Sequence, residues 1–272
     1  MQCNLKEILA LADSKGVAIP AFNCYNVESV MGVAQAARET GAPVIFQMFT
    51  RMMDTEFGPY VAAAIREAIN RLPVPAAMHL DHGAGIPQVL RALRLGCTSI
   101  MIDASTHPLD ENIAITRQAV EICRECGVYV EGELGHVGGT ADEKMSDFTD
   151  VDEAARFAKE TGVAAMAVMV GTAHGVYKSA PVLDIERTRE IHRVTGLPLV
   201  LHGGSGIEQD YITRGIKAGI AKINVGTELR QPYERAMRER NDVEYARECV
   251  YKRCRELIRD FLHTANDAKV LF

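Results

Sequence analysis

The sequence predicts a (β/α)8 barrel, and three observations carry that reading. Eight short apolar runs alternate with helical patterns along the chain. Its 272 residues lie close to the roughly 250 typical of one such barrel. Residue types capable of chemistry stand where the apolar runs stop, the strand-end position at which barrels present their reactive groups. A doubly wound open sheet uses the same alternation and is the alternative.

An amphipathic helix over 5–14 precedes the first strand, 17–22, which ends in Asn23. The next helix, 27–39, closes at Gly41, a residue that tolerates the left-handed conformation of a helix end. Further strands are expected at 44–48, 76–80, 99–102, 128–133, 164–170, 197–201 and 220–225. Helices fall between them at 55–71, 86–95, 110–126, 151–161, 184–194 and 209–218, several ending at a glycine just before the next strand. From Thr227 onward the chain is helical and charged, with an appended helix over 244–261. The basic cluster Lys252-Arg253-Cys254-Arg255 reads as a solvated or subunit-facing surface. No Pro/Ser-rich linker or composition break divides the chain, so residues 1–272 are expected to form a single domain, barrel and C-terminal extension together.

A content of 47% hydrophobic residues supports a large core, and 24% charged residues argue against disorder. The net charge of −6 argues against general nucleic-acid or membrane-surface binding while leaving room for a local phosphate pocket. With no 18-residue apolar run and no signal-peptide layout in Met1-Gln2-Cys3-Asn4, a cytoplasmic protein is expected. Cys123 and Cys126 form a CxxC inside a helical pattern with no second CxxC, so the seven cysteines read as reduced structural thiols.

The chemistry centres on Ala77-Met78-His79-Leu80-Asp81-His82-Gly83, an apolar run ending in adjacent acid and imidazole. Two later apolar runs also lead into a histidine followed by glycine: Gly171-Thr172-Ala173-His174-Gly175 and Leu201-His202-Gly203-Gly204-Ser205. Three imidazoles converging on one rim with an open fourth position suit a catalytic zinc ion, although other divalent metals could occupy them. His79 shares the face of Asp81 two residues on, while His107, His136, His192 and His263 fall in loop or helix patterns and are not expected as ligands. Glu131 and Glu133 share one strand face, as a rim pair or as a metal ligand or its partner.

The last two loops, Gly203-Gly204-Ser205-Gly206 and Asn224-Val225-Gly226-Thr227, are glycine-rich. Loops after strands seven and eight of a barrel often cradle phosphate, using backbone N–H groups at a helix start. Metal, phosphate and a neighbouring carboxylate together suggest retro-aldol cleavage of a ketose phosphate through a metal-stabilised enediolate, with Asp81 moving the proton. Lys222 in strand eight is the rival, as a Schiff-base amine.

At this point the sequence resembles the class II, zinc-dependent ketose-bisphosphate aldolases, which include fructose-1,6- and tagatose-1,6-bisphosphate enzymes. The likeness runs from Ala21-Phe22-Asn23 to about Thr227 through LDHG, MIDAS (101–105), EGELG (131–135), GTAHG, LHGGS and NVGT. It implies a barrel, a homodimer or homotetramer and a sugar-phosphate substrate. It also implies Asp81 as acid/base, His82, His174 and His202 as zinc ligands, and Glu133 as a carboxylate near the metal. Asn23, Gly175, Gly203, Gly204, Ser205, Asn224, Val225, Gly226 and Thr227 would bind substrate, with Na+ or K+ beside the dihydroxyacetone-phosphate site.

Three positions depart from the family pattern. Ala141 stands where a proton-transferring glutamate is usual, with Asp142 or Glu143 as substitutes. Phe49 replaces a small hydroxyl residue that meets substrate. Asp242-Val243-Glu244 replaces an Asp-Pro-Arg whose arginine reaches the distal phosphate of the neighbouring subunit, so Arg51, Arg247 or another cation would have to compensate. The dihydroxyacetone-phosphate half of the site therefore looks intact and the aldehyde half altered. A zinc sugar-phosphate isomerase or epimerase, and a non-catalytic sugar-phosphate binder, are the alternatives.

Overall fold

The computed structural model describes residues 1–138, 148–175, 177 and 181–262. Its eight strands close into a barrel in sequence order, and each neighbouring pair is parallel. They are β1 (Ile19–Asn23), β2 (Val44–Phe49), β3 (Ala76–Gly83), β4 (Ser99–Ile102), β5 (Tyr129–Leu134), β6 (Ala165–Val168), β7 (Leu199–Leu201) and β8 (Ile220–Val225). The open sheet is thereby excluded.

The helices are α1 (Leu5–Lys15), α2 (Val27–Thr40), α3 (Thr50–Met53), α4 (Gly58–Arg71), α5 (Ile86–Leu95), α6 (Leu109–Glu125), α7 (Val151–Thr161), α8 (Ile185–Thr195), α9 (Gln209–Lys217), α10 (Thr227–Arg240) and α11 (Val243–Glu256). Gly41, Gly96, Gly162 and Gly196 each close a helix at positive φ, as their spacing predicts. The helix expected over 55–71 forms as α4, starting three residues later at Gly58, and the short α3 precedes it. Pro59 sits in the first turn of α4, where its missing N–H costs nothing, and a side chain at Gly58 would lie 2.7 Å from the Met53 carbonyl. The appended helix begins earlier than expected, at Val243, because Asp242 caps it by accepting from Glu244 N at 2.9 Å and Tyr245 N at 3.1 Å.

The strands are buried on both faces, and alternation along them separates two cores. Outward residues such as Phe22, Phe46, Met78 and Ile100 pack beneath the helices. Inward residues Ile19, Ala21, Ile45, Ala77, Met101, Ala167 and Val200 fill the lower barrel, which α1 plugs with Leu5, Ile8, Leu9 and Ala12. Asn4 and Glu7 form a reciprocal cap that starts this plug, at 3.0 and 2.9 Å. In the outer layer α11 lies against α2, so closely that a side chain at Gly32 would come within 2.9 Å of Val250. Cys254 is buried there, and Arg253 turns inward to Glu228, so the basic cluster is not simply a solvated face. Among the described residues no helix is long and apolar enough to cross a membrane.

Candidate active site

The C-terminal ends of the strands surround a cavity of about 570 Å³. Asn23, Asp81, His82, His174, Gly175, Gly203, Ser205, Asn224, Gly226 and Thr227 line it, so most of the residues expected from sequence meet there. His202 lies fully buried against His82 and His174. Gly204 and Val225 do not line the cavity. Val225 packs in the outer core, and Gly204 faces Ile223 so closely that a side chain there would approach to 2.5 Å.

Adjacent residues of a regular strand point to opposite faces, yet Asp81 and His82 both enter the cavity. A shift in the β3–β4 register between Leu80 and Gly83 makes this possible. So does the backbone of His82, which has φ of 52° in the left-handed region that side chains rarely adopt. The strand consequently runs on to Gly83, past the expected end at Leu80.

The three imidazoles pack edge to face, with ring centroids 4.7 to 5.4 Å apart. Each contributes a ligand atom within 4.8 Å of the others, so the group could hold a metal ion. Their hydrogen bonds fit one. His82 Nδ1 bonds Asp103 Oδ2 at 2.8 Å and His202 Nε2 bonds Glu131 Oε1 at 3.0 Å. A nitrogen that donates its proton to a carboxylate leaves the other nitrogen of the ring as a lone pair. Those remaining nitrogens, His82 Nε2 and His202 Nδ1, face each other at 3.0 Å, which requires a cation or a proton between them. Tetrahedral zinc spaces its nitrogen ligands about 3.3 Å apart, a close match. His174 Nε2, buried and without a hydrogen-bond partner among the described residues, is a further orphan.

The electrostatics agree with room for one cation. Burial opposes charge on His82, but Asp81 and the bond to Asp103 raise it to about 9. Burial and the charge of His82 lower His174 to about 4 and push His202 well below the usual imidazole range. Glu133 lies 3.9 Å from His82 Nδ1, on the Asp103 side of the ring, away from the nitrogen that faces His202. Burial and nearby Asp103 raise its carboxyl to about 8. Ser105 Oγ joins this group, 2.7 Å from Asp103 and 3.0 Å from both Glu133 and His136.

Asp81 is held by two amides. Asn23 Nδ2 donates to Oδ2 at 2.7 Å and Asn224 Nδ2 to Oδ1 at 3.3 Å, while Gln47 Nε2 donates to Asn23 Oδ1 at 3.1 Å. Although burial opposes ionisation, His82, His202 and Lys222 together hold Asp81 below the usual carboxylate range. Lys222 is fully buried, donating at 2.8 Å to both Glu131 and Asn224. It thus ties the carboxylate behind His202 to the amide beside Asp81, and it does not line the cavity as a Schiff-base amine would. His79 lies near the same network, bonded to Ser99.

The glycine loops behave as tight joints. Gly203 has φ of 65° and a side chain there would come within 2.1 Å of the Ala173 carbonyl. Tyr177 fastens the two loops, accepting from Ala173 N and donating to Gly203 O, each at 2.8 Å. Glu228 accepts from Gly206 N at 3.1 Å and is gripped by Arg253 from α11. The amino end of α10, at Gly226 and Thr227, opens onto the cavity.

Tyr177 and Asp103 are site residues that the sequence reading does not single out. Asp103 had a signal, since it follows Met101 by two at the end of β4 and so shares its inward face. His136, expected only in a loop, lines the cavity. Ala141, Asp142, Glu143 and His263 lie outside the described residues. Of the compensating cations, Arg51 lines the cavity, whereas Arg247 bonds Glu244 and Gln35 in a separate groove between α2, α4 and α11.

The chain has close relatives among known proteins. The family described as "Fructose-bisphosphate aldolase class-II" matches residues 3–268. A fructose-bisphosphate aldolase from Staphylococcus aureus is 37% identical, covering 98% of this chain and 99% of that protein. A probable fructose-bisphosphate aldolase from Bacillus subtilis is 39% identical, covering 87% and 85%. The crystal structure of the YdjI aldolase from Escherichia coli K12 superposes with a TM-score of 0.90 at 35% identity, covering 98% of this chain and 100% of that one.

Proposed function

The chain belongs to the class II fructose-bisphosphate aldolase family, whose members are lyases, and from that premise we propose that it reversibly cleaves a ketose phosphate to dihydroxyacetone phosphate and an aldehyde. The observation that carries this reading is the Asp81 carboxylate, kept ionised and aimed by two amides beside a three-histidine cluster in one cavity. His82, His174 and His202 are its metal ligands, and zinc is the ion that three imidazoles with an open position suit best. When bound, the ion supplies a Lewis acid for the ketose carbonyl and for the negative charge left when the carbon–carbon bond breaks.

The remaining work belongs to side chains and backbone. Asp81 takes the proton of the hydroxyl whose oxygen becomes the aldehyde and returns it in condensation. Asn23 and Asn224 fix the direction in which it does so. Asp103 and Glu131 hold His82 and His202 in the tautomers that leave inward lone pairs. Glu133, linked through Ser105 to Asp103, backs His82 from behind. Gly175, Gly203, Ser205 and the start of α10 at Gly226 and Thr227 cradle the phosphate of dihydroxyacetone phosphate.

We propose further that barrel and C-terminal helices act as one cytoplasmic unit and assemble as a homodimer or homotetramer. Exposed apolar residues Val27 and Met31 on α2, with Phe57 and Tyr60 around α4, support an interface. Light scattering on the purified protein measures the assembly directly.

The first experiment follows solvent exchange of the hydroxymethyl proton of dihydroxyacetone phosphate, without any aldehyde, on metal-loaded and chelator-stripped protein. Metal-dependent exchange is expected. Absence of exchange in protein shown to hold zinc would remove the aldolase mechanism and favour a binding role.

A further inference from the structure

Resting on the aldolase reading, we propose that Arg51 selects the second substrate by pairing with an anionic terminus, carboxylate or phosphate, at the far end of the aldehyde. Arg51 stands two residues beyond β2, exposed, in the cavity wall beside Phe49, Asp81 and His82. The glycine loops that suit the first phosphate follow β7 and β8, and β8 is separated from β2 only by β1. Two interstrand steps place these sides of the cavity on the order of 10 Å apart. Asp81 stands on β3, next to β2, so a ligand with one phosphate at the glycine loops and its reacting carbons beside Asp81 has the β2 wall among those its other end can reach.

The charge of Arg51 is uncommitted. The carboxylate nearest along the chain, Asp54, bonds Arg91 of α5 at 2.5 Å. Among the described residues Arg51 has no hydrogen-bond or ion-pair partner of its own. The other arginine in the wall, Arg230, lies in the first turn of α10, three residues after Thr227, on the side of the first phosphate. Arg247 is held by Glu244 and Gln35 in the separate groove.

Phe49 defines what lies between. Its ring meets the edge of His82 at 6.0 Å and gives the β2 side of the cavity an apolar wall. A phenyl ring at position 49 carries no hydrogen-bond donor, so an anion arriving on this wall has the Arg51 guanidinium to meet. A guanidinium presents parallel N–H groups that match carboxylate and phosphate oxygens alike. Cation and apolar wall together fit a short aldehyde carrying a terminal anion.

The test measures condensation by the metal-loaded protein of dihydroxyacetone phosphate with three aldehydes. These are glyceraldehyde 3-phosphate, 2-hydroxy-3-oxopropanoate, which carries a carboxylate, and neutral glyceraldehyde. The wild type is expected to prefer one of the anionic aldehydes, and the preferred one identifies the anion. Arg51→Gln should lower kcat/KM for that aldehyde by roughly 10- to 100-fold, chiefly through KM. The preference over glyceraldehyde should shrink by the same factor, and Arg51→Lys should recover part of it. A wild type with no preference for either anion would overturn the proposal. So would an Arg51→Gln variant slowed equally on all three aldehydes, because that is the signature of a structural role. Failure of the aldolase reading is seen separately, as a wild type that neither exchanges the proton of dihydroxyacetone phosphate nor condenses it with any aldehyde, and it takes this proposal with it.

Discussion

The lower barrel interior is filled by Ile19, Ala21, Ile45, Ala77, Met101 and Val200, closed from below by Leu5, Ile8 and Leu9. Further toward the carboxyl ends of the strands, on them or just beyond, stand Asn23, Gln47, His79, Asp81, Asp103, His202, Lys222 and Asn224. Both halves are largely buried, but they are held together differently. The lower half gains from apolar area withdrawn from water, a term indifferent to direction. The upper half buries charges whose desolvation is offset only when every partner is in place, so its interactions fix direction at some cost in stability. A barrel can support such a top because its bottom and its outer layer are apolar. On this view, substitutions above should change chemistry or break the network, and substitutions below should change stability alone.

The sharpest separation is expected at Asp81. Asp81→Ala should reduce cleavage by about 10²- to 10⁴-fold, the range for a positioned acid or base. Zinc content and Tm should stay near those of the wild type, because the ligands remain and the amides of Asn23 and Asn224 border the cavity. Cleavage at the normal rate would remove Asp81 from its role. Loss of zinc along with activity would mean that the two functions of the upper half cannot be separated. His174→Ala and His202→Ala should differ from Asp81→Ala by losing metal and activity together.

Lys222 tests whether the upper half is a network or a set of pairs. Its ammonium joins Glu131 to Asn224. Lys222→Met should destabilise by about 3–5 kcal/mol, because a buried carboxylate loses its counter-charge. Adding Glu131→Gln should restore much of the stability in denaturant titrations while activity stays low, since His202 then lacks its carboxylate. Full recovery of activity in the double variant would show that Lys222 does not position His202 and Asp81. In the lower half, Ile8→Ala or Leu9→Ala should cost about 2–5 kcal/mol and leave kcat per folded molecule unchanged.

These contrasts also explain what could be read from the sequence. Apolar periodicity reports burial and direction, so the barrel, most helix ends and the lower core were legible from runs such as Ala76-Ala77-Met78 and from the closing glycines. The meeting of His82, His174 and His202 was legible too, because each follows a strand end and a barrel brings strand ends together. The left-handed turn at His82 was not, since nothing local marks a histidine for positive φ and the cause lies in the register with β4. Lys222 was misleading for a similar reason. An amine within an apolar strand that leads into the site looks reactive until its partners on β5 and on its own strand are known. The start of α4 was available in Gly58-Pro59, which marks a helix beginning just inside the expected range, whereas the short α3 was not foreseen. Tyr177 acts through its hydroxyl on two backbone groups, and such contacts leave no periodic trace.

The smallest expected effect probes how the lower half is anchored. Asn4 begins the plug helix by accepting from Glu7 N, and Glu7 answers by accepting from Asn4 N. Asn4→Ala removes one of these bonds and should cost about 1 kcal/mol, the usual value for an N-cap. The cavity lies at the opposite ends of the strands, so kcat and zinc content should not move. Hydrogen exchange distinguishes two ways of reaching that loss. If only the first turn frays, protection falls near Leu5 and holds at Leu9 and Ala12, since those side chains stay locked between the strands. If protection falls along the whole of α1, the plug opens as one unit and the apolar half is more cooperative than its separate contacts imply. A change in kcat would break the comparison itself, because it would mean that the order of the plug reaches Asp81 through the strands that both halves share.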